Sequence, residues 1–255
     1  MSRNSEYWEK RIAKPTWDIY NSLEEKNRAL LEMYQEASLS ISDEIYRVTE
    51  KIKTATPSRS DMYKFNRLSK LQKNINIIIK ELGSNVESFG KENMHKGIKL
   101  NYESIMKALG EIEYSMPNKK IMEHMLNKPW LGSNFSERLW KNTKMLAMNM
   151  NDILTNGLTQ GKTVTEMAIQ LSNRMNEGFN VAHRLVRTET MHALNESSFQ
   201  AYKDAGCKKV EFWAAEDERT CPRCASMHGE IYTLSSRPIL PVHPNCRCTY
   251  LPVIE

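Results

Sequence analysis

Residues 221–248 read CPRCASMHGEIYTLSSRPILPVHPNCRC, and the fold class turns on them. Two thiols, Cys221 and Cys224, share one C-x-x-C turn. Eighteen residues later come an imidazole and two more thiols, in His243-Pro-Asn-Cys246-Arg-Cys248. A C-x-x-C turn brings two sulfurs close enough to share a metal ion, and a ligand pair from a distant turn completes a tetrahedron. Thiolate plus imidazole suits Zn²⁺, which has no redox liability. Five candidates compete for four places: Cys221, Cys224, His243, Cys246 and Cys248, with His228 as a sixth. The preferred set is Cys221, Cys224, His243 and one of the last two cysteines. Cys248 is favoured for its reach, and an all-cysteine set comes next. Closing the loop by metal would stabilise a small β module that buries too little apolar surface alone.

Other chemistries fit the same residues less well. All five cysteines fall in the last 49 residues, in odd number and at short spacings, which argues against a disulfide framework. Free buried thiols would not need ligand-type residues packed into 28 positions. A catalytic zinc needs an open coordination place and a nearby base. Glu230 is on offer, but the chain has no H-x-E or H-E-x-x-H arrangement. A thioredoxin-type pair opens a long helix, and the segment after Cys224 is too short for one.

Upstream of the cysteines the pattern alternates. Lys208 to Ala214, with Val210 and Phe212 on one side, predicts a strand. Glu230 to Leu234 predicts a second. Thr249 to Val253 predicts a third, at a sheet edge because of Pro252.

Before Gly206 the chain reads as helix almost throughout. Leu23, Leu30, Tyr34, Ala37, Ile41, Ile45, Val48 and Ile52 lie 7, 4, 3, 4, 4, 3 and 4 residues apart, one face of a long amphipathic helix. Pro57 punctuates it. Met62, Phe65, Leu68, Leu71, Ile75, Ile78 and Leu82 mark a second helix, ended by Gly83-Ser-Asn85. Ile98, Tyr102, Ile105, Leu109 and Ile112 mark a third, broken by Pro117. A short helix follows over Asn118 to Asn127. Asn134, three residues before Glu137, suits the cap of a helix carrying Leu139, Trp140, Leu146, Met150 and Leu154 inward and closing at Asn156-Gly157. Thr163-Val-Thr-Glu166 is a capping box for a helix with Met167, Ala168, Leu171 and Met175. Glu177-Gly178 predicts a turn, and a last helix spans about 180–205. The 15 methionines favour adaptable packing.

The expected fold is therefore mainly α. An elongated helical body, residues 1–128, precedes residues 129–255, where helices over 129–206 lead into a zinc-stapled β tail at 207–255, an α+β arrangement. The chain has 255 residues, 40% hydrophobic and 26% charged, an ordinary globular composition. No apolar run approaches a membrane span, and the N-terminus has no signal-peptide core. The expectation is a soluble protein made in a cytoplasm. The net charge of +5 is mild. From Cys207 onward acidic and basic residues balance, so the excess lies in the helical part and allows weak, non-specific DNA contact. The helices flanking 156–163 resemble a helix-turn-helix only loosely, since the second carries few base-reading side chains. Arg187 and Glu189 lie two apart and do not face each other on a helix. They read either as a polar pair anchoring that helix to the tail or as solvated charge. His95, His124, His183 and His192 have no ligand partners at helical spacing and read as surface or satisfied core residues.

A wider set of residues carries a resemblance. Arg187-Thr-Glu-Thr, Asn195, Tyr202, Gly206 and Trp213 are followed by Asp217, Thr220-Cys-Pro-Arg-Cys224, Gly229 and Pro241-Val-His-Pro-Asn-Cys-Arg-Cys248. In order and spacing, over roughly residues 130–253, they resemble the Mu F-like phage minor head (head morphogenesis) proteins. Glu6-Tyr-Trp-Glu-Lys-Arg11 is also similar to minor head proteins of phages of Gram-positive bacteria. The resemblance implies a low-copy virion protein at the portal vertex or capsid interior. Its partners would be the portal protein, the major capsid protein or a scaffold, and it would act in head assembly, genome packaging or DNA ejection. It implies no enzyme activity and no membrane partner in the assembled head. Some relatives carry a toxin or enzyme domain after this region. The chain ends seven residues past Cys248, so none is expected here. Arg187 and Glu189, with the metal-bearing tail, are the expected docking elements. The competing classes are a zinc-dependent nuclease or hydrolase and a non-specific DNA-binding module.

Overall fold

The computed structural model describes residues 3–110, 114–215 and 220–254. Ile112 of the third apolar stripe and Asp217 of the family-like pattern lie outside them. The elements run α1 (Arg3–Trp8), a π-helical turn (Glu9–Ala13), α2 (Lys14–Glu25), α3 (Arg28–Ile52), α4 (Arg59–Tyr63), a 3-10 turn (Lys64–Asn66), α5 (Arg67–Ala108), α6 (Lys119–Asn127), α7 (Phe135–Thr159), α8 (Val164–Asp204), β1 (Lys209–Trp213), α9 (Pro222–Met227), β2 (Ile231–Thr233) and β3 (Thr249–Val253). The mainly helical class with a small C-terminal sheet is the one expected. The sheet is antiparallel, in the order β2-β1-β3, which leaves Pro252 on an edge strand. Among the described residues no helix is long and apolar enough to cross a membrane.

The chain divides into two compact units. One holds residues 27–89 and 136–183. It takes the expected apolar faces of α3, α7 and the start of α8 as its core. Leu30, Tyr34, Ile41, Ile45, Leu71, Ile75, Leu146, Met150, Leu154, Met167 and Leu171 are all buried. The box at Thr163 forms as expected. The Glu166 amide donates to Thr163 Oγ1 at 3.1 Å, and the Thr163 amide donates back to Glu166 Oε2 at 2.7 Å. Ser58 and Asp61 make a second box that opens α4.

Several local expectations fail here. The 42-residue α5 runs straight through Gly83-Ser-Asn85. The 41-residue α8 runs through Glu177-Gly178. α7 continues past Asn156-Gly157 to Thr159. The reason is common to all three. A Cβ on Gly83 would lie 2.9 Å from Thr143 Cγ2, one on Gly178 3.1 Å from Leu146 Cδ2, and one on Gly157 2.7 Å from Met167 Cγ. These glycines admit a neighbouring side chain against the helix backbone; they do not end helices. Phe65 and Ile78 also depart from expectation. Phe65 leaves the apolar stripe for solvent, and Ile79 is buried where Ile78 was expected.

The other unit holds residues 1–26, 90–135 and 184–255. Val210, Phe212 and Leu251 of the sheet are fully buried with Trp8, Ile12, Tyr102, Ile105 and Tyr202. The tail therefore shares a core with helices and does not stand as a separate module. Buried Asn101 ties three helices together. It accepts from Thr16 Oγ1 at 2.8 Å and donates to the Leu194 carbonyl at 2.9 Å.

Candidate metal centre

Cys221 is the N-cap of α9, and its sulfur accepts from the Cys224 amide at 3.4 Å. Proline at the first helical position fixes the turn, so the C-x-x-C spacing puts both sulfurs on one side. The second strand of ligands is bent in by Asn245 at φ 62°, a left-handed conformation that asparagine tolerates. The His243 ring lies between the two turns. Its Nε2 is 3.2 Å from both Cys221 Sγ and Cys224 Sγ. Its Nδ1 is 2.9 Å from the Pro244 carbonyl, which assigns the ring proton to Nδ1 and leaves Nε2 for a ligand role. Cys224 Sγ is also 3.8 Å from Cys246 Sγ. Two groups result, Cys221–Cys224–His243 and Cys224–Cys246–Cys248, each with ligand atoms within 4.8 Å and with Cys224 common to both. All five expected residues meet, beside a cavity of about 260 Å³. His228 stays outside both groups, its ring 4.2 Å from that of Trp213.

The electrostatics of the cluster suit a cation. The hydrogen bond with Cys248 holds the Cys246 thiol at about 5, against its burial. The same bond, with burial, drives Cys248 upward. Burial and the neighbouring Cys246 push Cys224 up to about 12. The Cys224 amide lowers Cys221. Burial opposes charge on His243, but the Pro244 carbonyl and the charges of Cys246 and Cys221 outweigh it and raise the ring. Sulfurs this close cannot all ionise unaided. A bound metal ion supplies the positive charge that keeps coordinating thiols deprotonated. The donor set thus fits a metal ion.

The cluster is hung on one face of α8. Thr188 Oγ1 accepts from the Asn245 amide at 3.1 Å. His192 Nδ1 meets the Leu240 carbonyl at 2.7 Å. Asn195 donates to the Cys248 carbonyl at 3.1 Å, and the Tyr202 hydroxyl to the Tyr250 carbonyl at 2.7 Å. Arg237 lies 3.7 Å over the Phe199 ring. From α2, Trp17 Nε1 donates to the Arg247 carbonyl at 2.8 Å. Residues 188, 192, 195, 199 and 202 fall at spacings of 4, 3, 4 and 3, so one helical face meets the tail at successive turns, four of them through its backbone and Phe199 through the Arg237 side chain.

Arg187 and Glu189 are placed differently from each other. Arg187 lines the cavity beside the cluster, with its Nε 3.0 Å from Glu24 Oε1 and 3.1 Å from the Tyr20 hydroxyl. Glu189 is buried at 4% exposure and accepts from Trp130 Nε1 at 2.9 Å. The Trp130 ring stacks on His192 at 4.1 Å. Glu189 thus has almost no surface to offer a partner, and the residue between the pair, Thr188, makes the bond to the tail. Sequence reasoning gave no role to Thr188, His192 or Trp17. Polar side chains at Thr188, His192 and Asn195, 4 and 3 residues apart on a buried helix face, were the signal available.

A helical protein with a small sheet closed by a Cys/His cluster is the class that this geometry defines. Residues 148–251 match the family described as phage Mu protein F like protein. The chain is also similar to the NAD(+)--arginine ADP-ribosyltransferase EFV of Enterococcus faecalis (strain ATCC 700802 / V583), at 24% identity over 91% of this chain and 52% of that protein. The chain thus spans about half the length of this curated relative. No solved structure matches it.

Proposed function

We propose that the protein is a phage minor head protein, acting in head morphogenesis as a low-copy, non-enzymatic component of the virion. The observation that carries this is the Mu F-like match over residues 148–251, which takes in α8's tail-reading face and the whole Cys/His cluster. Residues 129–255 would form the family domain and 1–128 an addition to it, although the compact units interleave these stretches.

The metal would be zinc, held structurally. A zinc–sulfur length of about 2.3 Å sets the sulfurs of a tetrahedral site about 3.8 Å apart. The Cys224–Cys246 separation of 3.8 Å suits that edge. Cys221, Cys224 and His243 are the proposed ligands, with Cys246 or Cys248 as the fourth. When bound, the ion would cross-link two turns and leave no open place for substrate. The transferase activity in the name of the Enterococcus faecalis relative belongs to that protein, and no family-level feature brings it to this chain. Among the described residues no carboxylate lines the cavity beside the cluster, where a zinc nuclease or hydrolase would need a general base.

The tail and Arg187 beside it would dock on the portal protein or the inner capsid wall, with Glu189 holding the helix in place from within. Weak, sequence-independent DNA contact would fall to the helical part, where the positive excess lies. The protein would be made in the host cytoplasm and end in the capsid interior or at the portal vertex. The test is a tagged copy expressed during assembly and recovered from proheads. Co-purification with portal protein is expected, and particles lacking the protein should fill but infect poorly. Recovery without any capsid component would sink the reading.

A further inference from the structure

The unit of residues 27–89 and 136–183 carries a groove that the head-protein reading does not use. A cavity of about 590 Å³ is lined by Arg47, Lys51, Arg67, Lys70, Glu44 and Phe65, among others. Four cations face one carboxylate there. That carboxylate is already engaged, with Arg47 at 3.1 Å and the Asn74 amide at 2.6 Å, so the groove keeps a positive surplus.

Phe65 makes this groove different from an ordinary basic face. It is 78% exposed and sits at φ 57°, ψ 24°, followed by Asn66 at φ 54°. Bulky side chains hold that conformation only when their surroundings impose it. The surroundings are visible. The Ser58–Asp61 box fixes the start of α4, and Arg67 Nη1 donates to the Asp61 carbonyl at 2.9 Å. The Arg67 guanidinium then lies 5.2 Å from the Phe65 ring centroid. The chain thus holds an aromatic face out in water, backed by a guanidinium and flanked by ammonium groups.

We propose that this groove binds a single strand of nucleic acid, with an unpaired base on the Phe65 ring and the adjoining phosphates against Lys51, Lys70 and Arg47. Stacking platforms beside cationic grooves are how proteins hold single strands without regard to sequence. A duplex keeps its base faces covered and would use the cations alone. An acidic peptide would likewise leave Phe65 without a role. The inference rests on the weak DNA contact proposed above and gives it a place and a preference for the unpaired strand.

The test is fluorescence anisotropy of the full chain with a labelled oligothymidylate of about 12 nucleotides, the size range of single-strand sites. The comparisons are a duplex of equal length and a polyglutamate peptide. The single strand should bind tightest. Its log affinity should fall with log salt by about 0.7 per phosphate neutralised. Phe65→Ala should weaken it roughly tenfold without changing that slope, as loss of one stacked base does. Lys51→Gln or Lys70→Gln should lower the slope by about 0.7 each. Melting curves matching the unsubstituted chain would show that the variants fold. Equal or tighter binding of duplex or polyglutamate, or a Phe65→Ala variant that binds as before, overturns the proposal. Binding to none of the three removes the DNA contact as well, and leaves docking on the head to be judged by the prohead experiment.

Discussion

Around the Cys/His cluster, side chains of α8 accept from or donate to the tail's backbone. Each meets a main-chain group of the tail, three of them carbonyls of the buried residues Leu240, Cys248 and Tyr250. Tyr202 is buried and its hydroxyl donates to the Tyr250 carbonyl. Burial also raises its pKa well above the ordinary value, so it stays a donor at any physiological pH. Tyr202→Phe keeps the ring in place and leaves that carbonyl unmet, a loss of about 1–3 kcal/mol. Chemical denaturation should show the drop, and Asn195→Ala should cost a similar amount through Cys248. A neutral result for both would mean that the helix face does not hold the tail. This layer was half legible. Asn195 and Tyr202 belonged to the family-like pattern, but a pattern carries no partners. Their purpose appears only when the tail's backbone lies against them.

At the scale of elements, the sequence showed the helices well and their ends poorly. The apolar periodicity that located α3, α5, α7 and α8 reports a buried face, and buried faces were found there. The stops failed because glycine has two uses. A glycine after the last helical residue supplies a left-handed cap, as Gly161 and Gly206 do at φ 67° and 74°. A glycine within a helix supplies a flat place for another side chain. Gly83, Gly90 and Gly97 recur every seven residues on α5, and a Cβ on any of them would approach a neighbour within 3 Å. Local spacing does not distinguish the two uses, because the second depends on residues far along the chain. Gly90 is the tightest case, with a Cβ 2.5 Å from Phe135 Cζ. Phe135 is itself 2% exposed and has no room to swing aside. Gly90→Ala should therefore destabilise by about 1–3 kcal/mol of overpacking, less up to about 1 kcal/mol gained in helix propensity. A raised melting temperature in that variant would show that the contact is loose.

At the scale of the whole molecule, the Cys/His cluster and the hydrophobic core meet in the tail. The sequence predicted a module too small to fold without its ion. The structure instead buries Val210, Phe212 and Leu251 with Trp8, Tyr102 and Tyr202, residues from both ends and the middle of the chain. The ligand cluster was legible because metal chemistry constrains residue type and short spacing. The shared core was not, because nothing local ties Trp8 to Phe212. This changes what metal removal should do. The sheet keeps apolar partners, whereas the ligand turns at 220–228 and 240–248 reach that core mainly through the ligand side chains Cys224, Cys246 and Cys248 with Leu240, and otherwise hang on polar contacts. The purified protein should carry about one zinc per chain. Chelation, or Cys221→Ser, should speed amide exchange in those two turns first and lower the melting temperature. The helices of 27–89 and 136–183 should stay protected, since no ligand lies in that unit. The loss should be smaller than the roughly 10–16 kcal/mol that structural zinc supplies where metal alone drives folding. Complete unfolding on chelation would mean that the shared core contributes little. A metal-free protein with an unchanged melting curve would mean that the cluster is not a metal site at all.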